Sequence, residues 1–200
     1  MRTVSIDEIR YEVEKAGSNH LQVFGGSKLG GKEIQQHPLE ISEAIHFLIT
    51  CGMNFKNFLE VGVAAGGTTY ILNHYLHFGK IVLLDNNTHS TAKLRPEILE
   101  GIKYIEFIGN SQSQTARKFV EKQNITFELI HIDADHSYNG VKTDTYNYID
   151  LITPSGYIMF HDTKSCKGVE KWLNELIALD NIKEVFSTNH KHGIKIVQVT

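Results

Sequence analysis

The sequence predicts one α/β domain: a mostly parallel seven-stranded sheet with helices on both faces, finishing in a C-terminal antiparallel hairpin. Three observations predict it. Short apolar runs alternate with helical patterns along the chain, as they do when a parallel sheet is built from strand–helix–strand units. The last two apolar runs, Ile182 to Ser187 and Gly193 to Val199, are joined by a turn too short for a parallel crossover, so they pair antiparallel or not directly. At 200 residues and 41% hydrophobic content, the chain is long enough for one proper core and needs no second domain.

The elements follow in order. Ser5 to Ala16 opens with a capping serine, has Glu8 three residues on, and sets Ile6, Ile9 and Val13 on one stripe, which reads as a short amphipathic helix. Gly17 to Pro38 is glycine-rich and reads as a long loop or lid. Within it Gly26 to Lys32 spells most of a phosphate-binding P-loop, but Glu33 stands where a magnesium-binding Ser or Thr is required, and Pro38 leaves little room for the helix that should follow. Residues 1–38 are therefore set apart as an N-terminal helix and entry segment, and 39–200 as the domain proper. Leu39 to Cys51 has helical spacing and stops at Gly52.

Asn57 to Thr69, NFLEVGVAAGGTT, is the stretch that organises the rest. Phe58, Leu59, Val61 and Val63 form an apolar strand, the glycines follow at once, and Thr68 and Thr69 are placed to cap a helix from Tyr70 to Leu76. The alternative is an ordinary strand-to-helix turn. Lys80 to Asp85 is a second strand ending in an acid, Ile102 to Ile108 a third ending in Gly109-Asn110-Ser111, and Phe127 to Asp133 a fourth. Weak or modest helices are expected over Leu94 to Glu100 and Ser113 to Gln123. A further helix is expected over Asn139 to Ile152, ended by Thr153-Pro154-Ser155-Gly156. Tyr157 to Phe160 is the fifth strand and Gly168 to Leu179 an amphipathic helix in which Trp172 is a packing residue. His190 and His192 fall in the final turn and read as solvated.

The glycine spacing, Gly62-x-x-x-Gly66-Gly67 with Glu60 two residues ahead, departs from the G-x-G-x-x-G dinucleotide fingerprint. It resembles motif I of the class I S-adenosylmethionine-dependent methyltransferases, which implies a Rossmann-like sheet and S-adenosylmethionine as cofactor. On that resemblance Glu60, Gly62, Gly66, Gly67 and Thr68 cradle the nucleoside, Asp85 takes the ribose hydroxyls and Asp133 also faces the cofactor. Asn110 stands where many such enzymes carry an acid for the adenine amine, with Ser111 beside it.

In an open α/β sheet the ligand lies beyond the carboxyl ends of the strands, where this chain carries Glu60, Asp85, Asp133 and Asp162. Two carboxylates about 6 Å apart repel by roughly 2 to 3 kcal/mol at an effective dielectric near 20, so the group Asp133, Asp135 and Asp162 calls for a counter-charge. A divalent cation, Mg²⁺ or Mn²⁺ for oxygen-rich ligands, meets that need, and so does Lys142 or Lys164. FELIHIDADHSYNGVKTDTYNYIDLITPSGYIMFHD resembles the metal-dependent catechol and antibiotic-sugar O-methyltransferases, with their I-D-x-D-H-x-Y and closing H-D segments. The resemblance places the cation on Asp133, His161 and Asp162, and the base at Asp135, with His136 as its rival. His161 stands where many relatives have an acid.

The acceptor implied is a small molecule or sugar hydroxyl. Net charge -3 and a pI near 6.4 offer no basic field for nucleic acid. No apolar run has the length of a membrane span, and Cys51 and Cys166 lie far apart with no metal spacing, which together predict a cytoplasmic protein with free thiols. The N-terminal helix is read as packing on its own domain or on a second copy in a homo-oligomer.

Overall fold

The computed structural model describes residues 4–17, 31–188 and 190–200. The lid expected over Gly17 to Pro38 and the P-loop-like Gly26 to Lys32 lie mostly outside the described residues. The elements are α1 (Ile6–Ala16), α2 (Pro38–Thr50), β1 (Asn57–Val61), α3 (Gly67–Leu76), β2 (Lys80–Asp85), α4 (Arg95–Ile98), β3 (Ile105–Ile108), α5 (Gln114–Glu121), β4 (Phe127–Ile132), α6 (Tyr138–Tyr148), β5 (Ile152–Phe160), α7 (Lys167–Leu176), β6 (Ile182–Ser187) and β7 (Lys195–Val199).

The strands form one seven-stranded sheet in the order β3-β2-β1-β4-β5-β7-β6. Pairing is parallel from β3 through β5, and β7 alone is reversed, running antiparallel to both β5 and β6. The side-chain period of two sorts each central strand between two cores. Phe58, Ile81, Leu83, Leu129 and Met159 face the layer built by α1, α2 and α3, whereas Leu59, Val61, Val82, Ile130 and Ile158 face α5, α6 and α7. Near-continuous apolar strands are what burial on both faces demands. Helix α1 carries a full Ser5–Glu8 capping box and buries Ile9 and Val13 in the first of these cores, against α2.

Several boundaries differ from the expectation. Helix α3 begins at Gly67, three residues early, because Gly66 takes the left-handed conformation at its N-cap; Thr68 and Thr69 sit inside the first turn and cap nothing. Strand β3 starts at Ile105, since Ile102 is tied back by its N–H to the Leu99 carbonyl and has no partner on β2. The α6 helix stops at Tyr148, and the residues read as a loop, Thr153 to Gly156, belong to β5. There the pairing with β4 slips between Phe127 and Leu129, and Ser155 has φ +63°, so this end of the strand tolerates Pro154 at an irregularity. Helix α7 ends at Leu176, short of Leu179.

Phe58 is fully buried on β1 and stacks on Phe78, ring centroids 4.6 Å apart. Phe58→Ala is expected to cost about 3 to 5 kcal/mol of unfolding free energy by leaving a cavity beneath the organising strand, read as a lower urea midpoint with unchanged slope.

Candidate active site

Between β1 and β4 the connections leave the sheet in opposite directions, the switch point at which such sheets open a crevice. The main chain there is tightly drawn. The Gly62 N–H donates to the Leu84 carbonyl at 2.9 Å and the Asp133 N–H to the Val61 carbonyl at 2.8 Å. Gly62 has φ +87°, and a Cβ on it would stand 2.1 Å from the Asp133 carbonyl oxygen, so only glycine fits. Above this crossing lies a cavity of about 970 Å³ that runs from Asp85, Asn110 and Ser111 to Asp133, His161 and Asp162.

Asp85, at the end of β2, fastens the glycine-rich loop. One oxygen accepts from the Val63 and Ala64 N–H groups at 2.7 and 2.8 Å, and the other from the Asn87 N–H at 2.5 Å. Arg95, buried on α4, lies 3.4 Å from the same carboxylate, donates to the Ala64 carbonyl and pairs with Glu106 at 2.8 Å. Asp85 thus holds the loop as well as lining the cavity. Arg95 was not foreseen, since an arginine in a weak helix carries no local signal of what it will reach.

At the same end the Asn110 side chain accepts from the Gln112 N–H at 2.9 Å. The Ser111 hydroxyl donates to Asp144 at 2.8 Å and its carbonyl accepts from the Tyr148 hydroxyl. Asp144 is wholly buried, and its second oxygen has no hydrogen-bond partner among the described residues. Burial pushes its carboxyl up to about 6, against the smaller opposing pull of the Ser111 and Gln112 hydrogen bonds.

Three residues expected in the cofactor cradle are engaged within the protein. Glu60 does not line the cavity: it is buried behind the loop, where its carboxylate accepts from the Thr69 hydroxyl and pairs with His131 Nδ1 at 2.9 Å. Gly66 also lies away from it, packed on the Leu99 side chain, where a Cβ would come within 3.0 Å. Thr68 does line the cavity, but its hydroxyl donates to Gln36, whose amide in turn donates to Asp133 at 2.9 Å. Gln36 therefore spans from the loop to the far end of the cavity.

That far end is a pole of acids and imidazoles. His136 Nε2 lies 3.1 Å from Asp133 Oδ1 and 3.4 Å from Asp162 Oδ2; His161 Nδ1 lies 3.4 Å from Asp133 Oδ2 and 3.5 Å from Asp162 Oδ2. Burial works against the charge on Asp133, but His161 and His136 outweigh it and hold the carboxyl well below the usual range. Burial would depress His161, yet Asp133 and Asp162 push it up to about 10. The hydrogen bond to Asp133 likewise raises His136. Asp135 stands at the rim, exposed, accepting from the Ser137 N–H at 2.9 Å, which lowers its carboxyl.

The reading of His192 as a solvated turn residue is corrected. Its side chain lines the cavity, with Nδ1 3.5 Å from Asp162 Oδ1 and its ring 5.9 Å from that of His161. The turn is drawn there because buried Glu40 on α2 accepts from the His192 and Gly193 N–H groups at 3.0 and 2.8 Å, while the Lys164 N–H donates to the His192 carbonyl. Lys142 pairs with Glu175, away from the pole.

Asp144 yields a pH prediction. Its folded carboxyl is raised, so its neutral form favours the fold; that contribution is complete below about pH 4 and is lost as the pH rises through about 6. Asp144→Asn removes the titration. The stability of the native chain relative to this variant is expected to fall by about 2 kcal/mol between about pH 4 and pH 7, measured by urea unfolding at each pH.

Comparison with known proteins accords with this geometry. The family described as a methyltransferase domain matches residues 59–163, just over half of the chain. The uncharacterized protein y4gI of Sinorhizobium fredii is 26% identical over 95 residues, 46% of this chain, which spans only 10% of that protein's length. An O-methyltransferase from Bacillus cereus, solved with SAH, superposes with TM-score 0.67 at 16% identity over 97% of this chain and 91% of its own. MycE, a methyltransferase of the mycinamycin biosynthetic pathway solved with Mg, SAH and mycinamycin VI, superposes with TM-score 0.61 at 15% identity over 96% of this chain and 54% of its own. At such identities the two structures speak for the fold, and the matched family speaks for descent: the chain belongs to the methyltransferase-domain family, with the class I S-adenosylmethionine-dependent fold.

Proposed function

We propose that this protein transfers a methyl group from S-adenosylmethionine to a hydroxyl of a small molecule or sugar, assisted by a divalent cation. The observation that carries the reading is the continuity of one cavity from a nucleoside-sized end, with Asp85, Asn110 and Ser111, to a pole of two carboxylates and three imidazoles.

The residues fit both groups. A carboxylate has about four acceptor positions. Three loop N–H groups occupy Asp85, so a ribose hydroxyl takes the remaining position or displaces a loop bond. Gly62, Gly67 and Thr68 line the cavity beside the nucleoside, and Asn110 and Ser111 offer polar groups to the base. At the pole, Asp133, His161 and Asp162 would hold the cation. When bound, S-adenosylmethionine supplies an electrophilic methyl group and the cation supplies Lewis acidity to the acceptor hydroxyl.

Asp135 takes the hydroxyl proton. It lines the cavity at its open rim, whereas His136 Nε2 is turned into the pole between two carboxylates. A carboxylate with a reference pKa of about 3.9, lowered further by Ser137, takes a proton only from a hydroxyl already made acidic, so base and pole work together. The rest is positioning: Gln36 and Thr68 fix the loop against Asp133, holding donor and acceptor ends in line. The acidic charge balance disfavours nucleic acid as acceptor, and no described helix is long and apolar enough to cross a membrane. Free Cys51 and Cys166 suit a cytoplasmic setting.

Thermal unfolding with S-adenosylhomocysteine, with NAD as control, tests the cofactor. Ligand at a hundredfold its dissociation constant adds about 2.7 kcal/mol, a rise of roughly 5 to 11 °C for a chain of this size. No rise at saturating nucleoside removes the proposal. Asp85→Asn is expected to weaken S-adenosylhomocysteine at least about tenfold, the loss of one charged hydrogen bond. Asp133→Ala should keep the nucleoside shift but abolish methyl transfer to a panel of sugars and phenols, followed as S-adenosylhomocysteine release.

A further inference from the structure

The nucleoside end of the cavity is backed by a buried carboxylate that methyl transfer does not use. Asp144 sits on α6 with Tyr148 one turn further along the same face, and together they hold Ser111. The Ser111 hydroxyl donates to Asp144 Oδ1 at 2.8 Å, and the Tyr148 hydroxyl donates to the Ser111 carbonyl. Both helix residues are fully buried, whereas Ser111 lines the cavity. The second oxygen of Asp144 has no hydrogen-bond partner among the described residues, so as a packing residue the acid is costly.

Its effect on Ser111 is specific. A serine hydroxyl has one proton and two lone pairs, and on its own it rotates to suit a donor or an acceptor. An ionised carboxylate only accepts, so Asp144 engages that one proton. Burial raises its carboxyl to about 6, which still leaves it mostly ionised at pH 7. Ser111 Oγ is left with lone pairs alone to offer a ligand.

Asn110, the next residue, is fixed in the opposite sense. The Gln112 N–H can only donate, and it bonds Asn110 Oδ1 at 2.9 Å, so the amide NH₂ is the end left over. Asn110 is exposed and lines the same cavity. Adjacent side chains therefore present one acceptor and one donor. A 6-aminopurine offers the matching pair, an amine donor beside the N1 acceptor, while a 6-oxopurine offers the reverse.

We propose that Asp144 is a positioning residue for base selection: by holding the Ser111 proton it makes Ser111 Oγ an acceptor, which with the Asn110 amide donor selects a 6-aminopurine nucleoside over a 6-oxopurine one. This rests on the reading above that a nucleoside cofactor occupies this end of the cavity. Asp144 touches no ligand itself and acts through Ser111.

Calorimetry on the whole protein with S-adenosylhomocysteine and its deaminated analogue, S-inosylhomocysteine, tests the assignment. The native chain is expected to prefer the adenine compound at least about tenfold, since the analogue mispairs at a largely buried hydroxyl. Asp144→Leu removes the acceptor and frees the Ser111 hydroxyl to donate to a 6-oxo group. It is expected to bind S-inosylhomocysteine more tightly than the native chain does and to narrow the preference at least about threefold, a gain that a merely loosened site would not give. Ser111→Ala, which leaves α6 unaltered should the leucine variant fold poorly, is expected to weaken S-adenosylhomocysteine and to narrow the preference as well.

Equal weakening of both compounds by Asp144→Leu, or an unchanged preference in either variant that retains native circular dichroism, overturns the proposal. A native chain that binds both compounds alike overturns it too, and keeps the nucleoside reading. Failure of the native chain to bind S-adenosylhomocysteine removes both.

Discussion

The contact on which the functional end of this protein depends is the crossing of two backbones, Gly62 leaving β1 and Asp133 leaving β4. A Cβ on Gly62 would stand 2.1 Å from the Asp133 carbonyl, so the two strand ends meet only because one of them has no side chain. The first acid of the pole is thereby delivered directly beside the glycine-rich loop. Widen that crossing and the loop and the pole become separate features. Their closeness in one cavity is therefore a property of main-chain packing, to which the side chains are fitted afterwards.

Buried polar groups then hold the loop in shape from behind. Glu60 sits under it with Thr69 and His131, and Asp85 and Arg95 grip Val63 and Ala64. A charge in such a place is costly unless its bonds are made, so these groups specify a single arrangement more than they add net stability. Glu60 is the instructive case. Its position two residues before Gly62 marks the motif, yet its chemistry is internal: it orients α3, whose first turn carries Thr68 to Gln36.

Much of the architecture was legible from the chain. The alternation of apolar runs with helical patterns, and the short link between Ile182 to Ser187 and Gly193 to Val199, foretold seven strands with a reversed one at the end, because both features are local and periodic. The boundaries that moved, at Gly67, Ile105 and Tyr148, are set by caps and by the strand partner available, which periodicity does not encode. The acids at the strand ends were equally legible, since sheet topology alone gathers Asp85, Asp133 and Asp162 on one edge. Gln36, Arg95 and His192 were not: each reaches the site from a segment distant in sequence, through contacts that no spacing rule announces.

His192 shows how such a residue is recruited. A two-strand hairpin at the edge of a sheet would ordinarily leave its turn in solvent, and nothing in the residues around it says otherwise. Here β7 lies between β5 and β6, so the turn must return over the end of β5, where the Thr163 and Lys164 N–H groups bond the Gly193 and His192 carbonyls. Buried Glu40 closes the other side through two N–H groups, and its remaining oxygen has no hydrogen-bond partner among the described residues. A carboxylate so placed depends on the turn as much as the turn depends on it. The antiparallel end of the sheet therefore does more than finish the fold: it brings a third imidazole to an acidic pole built by the parallel strands, and ties the last strands of the chain to the helix that precedes the first.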